Sequence, residues 1–444
     1  MTSSQKICFG FLAVITLGTI LLMLPFSTAT GNWNSPVVAL FTATSAVCVT
    51  GLAVVDTGTD FSFSGQLVIL VLAQVGGLGY MTFTTFLIML TGRRFDLRHK
   101  IAIQQALDRR EMEGSGNIIR SIIAVTLIFE ITGILLLLLV FVPDFGWDKG
   151  LWYAVFHSIS AWNNAGFSLF SNSLVDYNSS ALLVFTISGL VIFGGIGYQV
   201  ILEMFFWLRD RLRRNPRNIV LSLDYKVAVS TTLFLLFLGL LGFFLVEGRN
   251  TETLRNLSIR SQFLAAWFQS MTTRTAGFNS IDIGGMTTAG LFITIAFMFV
   301  GASPGGTGGG MKTTTIRVLT SCTKSILQGK EEVLLYERRI AVSLILKAVG
   351  VIVGSVTAVI ICTILISLTD PTFDFIQILF EVVSAYATVG LSTGITSDFS
   401  IWGKLILILT MYMGRVGVLL LMSAVLGDPK PSNIHYPEED LLVG

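Results

Sequence analysis

The sequence predicts an all-α polytopic membrane protein built from four pseudo-repeated units. Each unit is a helix, a short re-entrant helix and a second helix, so that eight spans surround one axis. Three observations carry this expectation. Of 444 residues, 53% are hydrophobic and 13% charged, whereas a soluble domain carries about 25% charge. Apolar runs recur at 7–25, 65–91, 121–142, 181–208, 227–246, 288–300, 342–368 and 401–426. Most approach the ~20 residues that a helix needs to cross a ~30 Å hydrocarbon core. Finally, one short segment returns four times at nearly constant spacing.

That segment reads "FTATSAVCVTGLAV" (41–54), "FHSISAWNNAGFSL" (156–169), "FQSMTTRTAGFNS" (268–280) and "FEVVSAYATVGLST" (380–393). Each starts at Phe, carries Ser or Thr, and reaches a Gly followed by Leu or Phe. The glycines are Gly51, Gly166, Gly277 and Gly390, spaced 115, 111 and 113 residues apart. Regular self-similarity over the whole chain marks copies of one unit. The expected organisation is a first repeat over 1–92, a cytosolic loop over 93–117, a second repeat over 118–208 and a cytosolic loop over 209–226. A third repeat over 227–327 contains an interrupted second helix, with the interruption at 301–312. A cytosolic loop over 328–341, a fourth repeat over 342–426 and a cytosolic tail over 427–444 follow. The first apolar run lacks a clear cleavage pattern after "LLMLPFSTAT" and is read as a retained span.

Charge sets the expected orientation. The loop after the first repeat holds Arg93, Arg94, Arg98, Lys100, Arg109 and Arg110, and the next holds Arg209, Arg211, Arg213, Arg214, Arg217 and Lys226. Segments 26–64 and 369–403 contain neither Lys nor Arg. The positive-inside rule places the basic loops and both termini in the cytoplasm; topology rather than nucleic acid explains them. Cys8, Cys48, Cys322 and Cys362 form no paired spacing, and His99, His157 and His435 are scattered. Neither a disulfide framework nor a metal or catalytic cluster follows.

The short segments are too short to cross a bilayer and suit re-entrant helices. Non-helical backbone within a membrane is tolerated where it lines a wet cavity or is buried in protein. Four turns about an axis therefore predict a pore whose carbonyls replace an ion's hydration shell. Helix C-termini aimed at the membrane centre favour a cation. The predicted filter comprises Val49, Thr50 and Gly51; Asn164, Ala165 and Gly166; Thr275, Ala276 and Gly277; and Thr388, Val389 and Gly390. One glycine with φ > 0 is expected per turn, and "TVG" at Thr388–Gly390 matches the start of the potassium-channel filter.

A glycine motif also repeats: "QVGGLGYMTF" (74–83), "IFGGIGYQV" (192–200) and "MYMGRVGVLL" (411–420). In the third unit its place is taken by "SPGGTGGGMKTTT" (303–315). This nearly matches a phosphate loop, but Met311 separates Gly310 from Lys312, and an apolar helix rather than a strand precedes it. Glycine and proline oppose a continued helix here. A mobile gate loop beneath the filter is expected, formed by Gly301, Ala302, Ser303, Pro304, Gly305, Gly306, Thr307, Gly308, Gly309, Gly310 and Lys312. Arg415 replaces Gly77 and Gly195 of the sister units. A charge there needs partners, and the loop's carbonyls are the expected ones. Glu130 suits helix packing as well as function, and Glu381 is expected to brace the filter backbone.

The motifs "TATSAVCVTGLAVVDTGTDF", "SAWNNAGFSLF", "RTAGFNS", "SPGGTGGGMKTTT" and "GRVG" resemble those of the Trk/Ktr/HKT potassium transporters, within them the KtrB-type membrane subunit. The resemblance covers essentially the whole chain. It implies a multi-pass subunit in a bacterial plasma membrane, a homodimer with a pore in each copy, and a cytosolic RCK-type nucleotide-binding gating ring. Cys48 stands where a close relative leads one to expect Thr, and Gly51 rather than Ser favours potassium. K⁺ is the implied cargo and Na⁺ the alternative, with membrane lipids as surroundings and neither an organic cofactor nor nucleic acid as partner. A Na⁺-selective or Na⁺/K⁺-cotransporting relative is the nearest alternative. A membrane enzyme acting on a phosphorylated lipid through 303–315 is the alternative of another class.

Overall fold

The computed structural model describes residues 2–79, 115–213 and 221–427. Residues 80–92 of the first repeat, most of the 93–117 loop, 214–220 of the 209–226 loop and nearly all of the 427–444 tail lie outside the described residues. The regular structure of the described chain is helical apart from a small antiparallel hairpin, β1 (Leu334–Leu335) with β2 (Arg338–Arg339).

Three kinds of helix recur in order. The first unit has α1 (Ser3–Met23), α2 (Pro36–Val47) and α3 (Phe63–Leu78). The second has α4 (Ser115–Trp162), α5 (Ala181–Ile196) and α6 (Tyr198–Leu212). Within α4 the chain breaks at Gly146 (φ 76°, ψ 176°). There a Cβ on Gly150 would lie 2.9 Å from Val142 Cα, so the two arms turn back tightly. The third unit has α7 (Leu223–Glu247), α8 (Ile259–Thr272), α9 (Thr288–Met298) and α10 (Thr313–Leu327). The fourth has α11 (Val342–Thr369), α12 (Phe375–Tyr386), α13 (Ile401–Val416) and α14 (Val418–Leu426).

Sequence chemistry sets the start of each third helix. Ser62, Ser180, Thr287 and Ser400 are its N-caps, accepting from the backbone N–H of Gly65, Leu183, Gly290 and Gly403 respectively. Such a cap contributes about 1 kcal/mol. In the third and fourth units a carboxylate at the end of the long helix reinforces it. Glu247 accepts from Thr287 N and Oγ1 at 3.1 and 2.6 Å. Asp370 accepts from Ser400 N and Oγ at 2.7 and 3.0 Å.

The short helices, not the long ones, form the core. Phe41, Phe156, Phe268 and Phe380, the residues that open the four repeated segments, are all fully buried. The long helices turn apolar side chains outward, with Ile128, Leu139, Phe234 and Val353 exposed, as a lipid-facing surface requires. Among the described residues, four helices are long and apolar enough to cross a membrane: Ser4–Met23, Ile119–Trp162, Leu223–Glu247 and Val342–Thr369. Two bent pairs raise this to six, against eight expected spans, one of them interrupted at 301–312.

The difference has a physical cause. The sequence suggested a break only in the third unit, yet the third helix stops at the same level in all four. Gly79, Gly197 and Gly417 adopt φ 78°, 101° and 88°, with ψ near 131–138°. The chain bends by 104° after α5 and by 94° after α13. Just before these breaks, Gly76, Gly194 and Gly414 pack against the last carbonyl of a short helix: Val47, Trp162 and Tyr386. An added Cβ would overlap each carbonyl oxygen, so only glycine allows the approach.

Two glycines of α5 test this. Gly194→Ala should destabilise the protein by ~1–3 kcal/mol through overpacking. Gly189→Ala, where nothing lies within 4 Å of the added Cβ, should be neutral or stabilise by up to ~1 kcal/mol. Thermal unfolding of the detergent-solubilised variants measures both, and equal midpoints would remove the close-approach argument.

Candidate functional site

The four glycine turns meet. A Cβ on Gly51 would lie 2.7 Å from the Ala165 carbonyl oxygen, one on Gly166 would lie 2.9 Å from that of Ala276, and one on Gly277 would lie 2.7 Å from that of Val389. A Cβ on Gly390 would run into the Thr50 carbonyl oxygen, which closes the ring. In every turn, then, the carbonyl preceding the glycine faces the glycine of a neighbouring turn. All twelve sequence-predicted turn residues are thereby brought together around one axis, and all but Gly51 are buried.

Their backbone differs from the expected pattern. Each turn has two left-handed residues, not one: Val49 and Gly51 (φ 58° and 91°), Asn164 and Gly166 (56° and 71°), Thr275 and Gly277 (66° and 78°), and Thr388 and Gly390 (50° and 90°). Val and Thr rarely adopt this region, and each such residue stores strain of order 1–3 kcal/mol. The surroundings hold it in place. Gly51 N and Gly390 N donate to Ser45 Oγ and Ser384 Oγ, both at 3.1 Å. Ser160 Oγ and Thr272 Oγ1 donate to the carbonyls of Phe167 and Phe278 at 2.8 and 2.5 Å. Sequence reasoning noted Ser or Thr in the repeated segment but did not assign these four residues; their recurrence near the turn was the available signal.

The 301–312 segment lies against three of the turns. Thr307 Oγ1 donates to Asn164 Oδ1 at 3.1 Å, and Gly309 N donates to Thr388 Oγ1 at 3.0 Å. Gly308 sits against Thr275 Oγ1, with no room for a Cβ. Ser303 N and Thr307 N donate to the carbonyls of Gly195 and Gly194, both at 3.0 Å. Gly301 N donates to Met311 O at 2.8 Å, and Ser303 Oγ lies 2.9 Å from Thr313 Oγ1, so the two ends are zipped together. The segment is thus tied down by hydrogen bonds as well as by glycine packing. Its N–H groups at Ser303, Thr307 and Gly309 donate to protein acceptors.

Arg415 donates through Nη1 to the Thr307 carbonyl and through Nη2 to the Gly76 carbonyl. Lys312 Nζ donates to the Gly308 carbonyl at 2.9 Å. Among the described residues, no carboxylate forms an ion pair with Arg415. Glu130 accepts from Asn163 Nδ2 at 3.4 Å, and that same amide donates to Gln74 Oε1 at 2.6 Å. This side-chain link joins the first and second units beside Asn164. Glu381 accepts from Ser392 Oγ, Thr393 N, Thr393 Oγ1 and Thr396 Oγ1 at 2.7–3.2 Å. It braces the segment leaving the fourth turn rather than the turn itself. Cys48 is buried as the C-cap of α2, and His157, which sequence spacing left unassigned, bonds Ser168 Oγ at 3.0 Å.

A family model described as TrkH, a cation transport protein, matches residues 1–436. The chain belongs to that family. Its relatives include the Ktr system potassium uptake protein B of Bacillus subtilis, 38% identical, with 100% of this chain and 97% of that protein covered. The Ktr system potassium uptake protein B of Vibrio alginolyticus is 39% identical, with 99% and 94% covered. The potassium/sodium uptake protein NtpJ of Enterococcus hirae is 35% identical, with 99% and 97% covered. The crystal structure of the potassium transporter TrkH from Vibrio parahaemolyticus matches with a TM-score of 0.71 at 18% identity, covering 95% of this chain and 85% of that one. Membership of the TrkH family makes this a multi-pass membrane transport protein and not a lipid-modifying enzyme.

Glu381 gives a stability prediction for this TrkH-family fold. Glu381→Ala strands four donors and should destabilise the protein by ~2–4 kcal/mol, while Glu381→Gln keeps one acceptor oxygen and should cost less. Thermal midpoints in detergent rank the two, and an unchanged Glu381→Ala midpoint would contradict the bracing.

Proposed function

We propose that this chain is the potassium-translocating pore subunit of a bacterial potassium uptake system gated from the cytosol. The ring of carbonyls from Thr50, Ala165, Ala276 and Val389, each against a neighbouring turn's glycine, carries the reading. Such oxygens can replace an ion's hydration shell without a charged side chain. The short helices end at this ring and aim the negative ends of their dipoles toward it. The 301–312 loop is the gate, lying against the turns, with Arg415 and Lys312 holding its carbonyls. Two relatives named as Ktr system potassium uptake proteins support K⁺ as the cargo. Those names also describe one member of a system, which supports a separate gating partner; our reading is a cytosolic nucleotide-binding ring acting on a dimer of this chain. The basic loops favour cytoplasmic termini in the plasma membrane. The relative named as a potassium/sodium uptake protein supports Na⁺ as a second cargo or coupling ion.

K⁺ and Na⁺ flux in proteoliposomes tests the reading. Gly51→Ser adds a Cβ at φ 91°, 2.7 Å from the Ala165 carbonyl oxygen. The strain of a left-handed non-glycine residue and this close contact should displace the carbonyl and lower the K⁺/Na⁺ flux ratio roughly several-fold. An unchanged flux ratio in folded protein would oppose the filter assignment.

Arg415→Ala removes two charge-assisted bonds, one of them to the loop. At ~1.5–3 kcal/mol for a bond to a charged group, basal K⁺ flux without the gating partner should rise roughly tenfold or more. A folded variant with wild-type basal flux would count against the gate.

A further inference from the structure

We infer that Arg274 is a positioning residue that couples the third turn to the hinge of the 301–312 loop. This rests on the pore-and-gate reading above. Arg274 directly precedes Thr275, and its side chain is 6% exposed. Its Nη1 donates to the carbonyl of Val300 at 2.8 Å, while its Nε has no partner. Among the described residues no carboxylate pairs with it.

A buried guanidinium without a counter-ion is costly in a membrane. What offsets it here is the end of α9. Phe299 and Val300 follow the last helical residue, where the unpaired carbonyls carry the negative end of the helix dipole. Arg274 caps that end from a different segment, and Val300 is the last residue before the glycine-rich loop. Its bridge to Met311 lies where the outgoing and returning strands of the loop meet.

The backbone of Arg274 faces the other way. Its carbonyl accepts from Asn164 Nδ2 at 3.3 Å, and the same amide donates to Thr275 Oγ1 at 3.2 Å. Asn164 Oδ1 accepts from Thr307 in the loop. One residue therefore links the second turn, the third turn and the loop's anchor. With Val300 fixed to the third turn, loop movement hinges at Gly301 and leaves the turn undisturbed. Without that link the hinge spreads into the end of α9, and the third turn loosens with it. Arg415 differs because it touches the loop's interior and α3, not a turn.

The test is K⁺ and Na⁺ flux through reconstituted full-length protein without gating partner, normalised to folded protein. Arg274→Gln should raise basal flux and lower the K⁺/Na⁺ flux ratio, each by roughly three- to tenfold, as expected for loss of a bond of ~1 kcal/mol or more. Arg274→Lys, with a single point-like donor, should shift both in the same directions by a smaller factor, and it decides the matter should Arg274→Gln not fold. A merely structural residue would lower yield or thermal midpoint and leave the ratio per folded molecule alone. A folded variant with a wild-type ratio overturns the inference. Arg415→Ala and replacement of 303–310 by a shorter linker separate the two levels. Raised flux in both, beside a wild-type ratio in the Arg274 variants, removes the coupling alone. Wild-type flux in both removes the gate reading on which it rests.

Discussion

Backbone carbonyls that converge inside a membrane protein must be held by something other than regular helix. Here four turns do this with a left-handed residue two positions before a left-handed glycine. Each glycine gives up its side chain so that a neighbouring turn's carbonyl can lie against it. Much of the surrounding architecture serves this arrangement. Ser45 and Ser384 take up turn N–H groups that have no helical acceptor. Gly76, Gly194 and Gly414 bring the third helices against the last carbonyls of the short ones. The long helices enclose this core and present their apolar faces to lipid.

The charged groups around the turns and the loop, buried or half-buried, share one pattern. Arg415, Arg274 and Lys312 donate to main-chain carbonyls. Glu381 and Glu247 accept from hydroxyl, amide and backbone N–H groups. Buried ion pairs repay their desolvation only with excellent geometry, and fixed dipoles offer another way to solvate an isolated charge. The placement is economical in a second sense. The cations act on the loop and its ends, while the carboxylates clasp segments that enter or leave the third helices. A cation path through the proposed filter thus meets carbonyl oxygens, and the loop carbonyls at Thr307 and Gly308 are already engaged by positive groups. In the proposed cycle, releasing the loop means exchanging these contacts rather than melting a helix.

Much of the site was legible because the chain repeats. Four glycines in register located the turns, and the departure of the third unit from the glycine motif of its sisters located the loop. A lone arginine in an apolar helix pointed to carbonyl partners, and Arg415 does donate to Thr307 O and Gly76 O. The lipid-enzyme alternative falls to membership of a cation transport family, and three of the loop's N–H groups donate to Gly194, Gly195 and Thr388.

Composition and spacing by themselves determined the membrane class and the four recurring Phe-to-Gly segments, because these depend on local properties: apolar runs, glycine's freedom, and spacing along the chain. Tertiary structure alone decided the rest. Val49, Thr275 and Thr388 take a conformation that their own propensities oppose, and the hydroxyls of Thr275 and Thr388 accept hydrogen bonds from distant segments. Asn164 reaches Thr275 across 111 residues, and Arg415 reaches Gly76 across 339. The bends at Gly197 and Gly417 likewise look like ordinary flexible glycines until neighbouring units fix their direction. Arg274 stands in the third segment where the others have Cys48, Asn163 and Ala387. Its partner, Val300, becomes visible only when the third turn and the end of α9 are brought within a hydrogen bond of each other, and no local pattern encodes that distance.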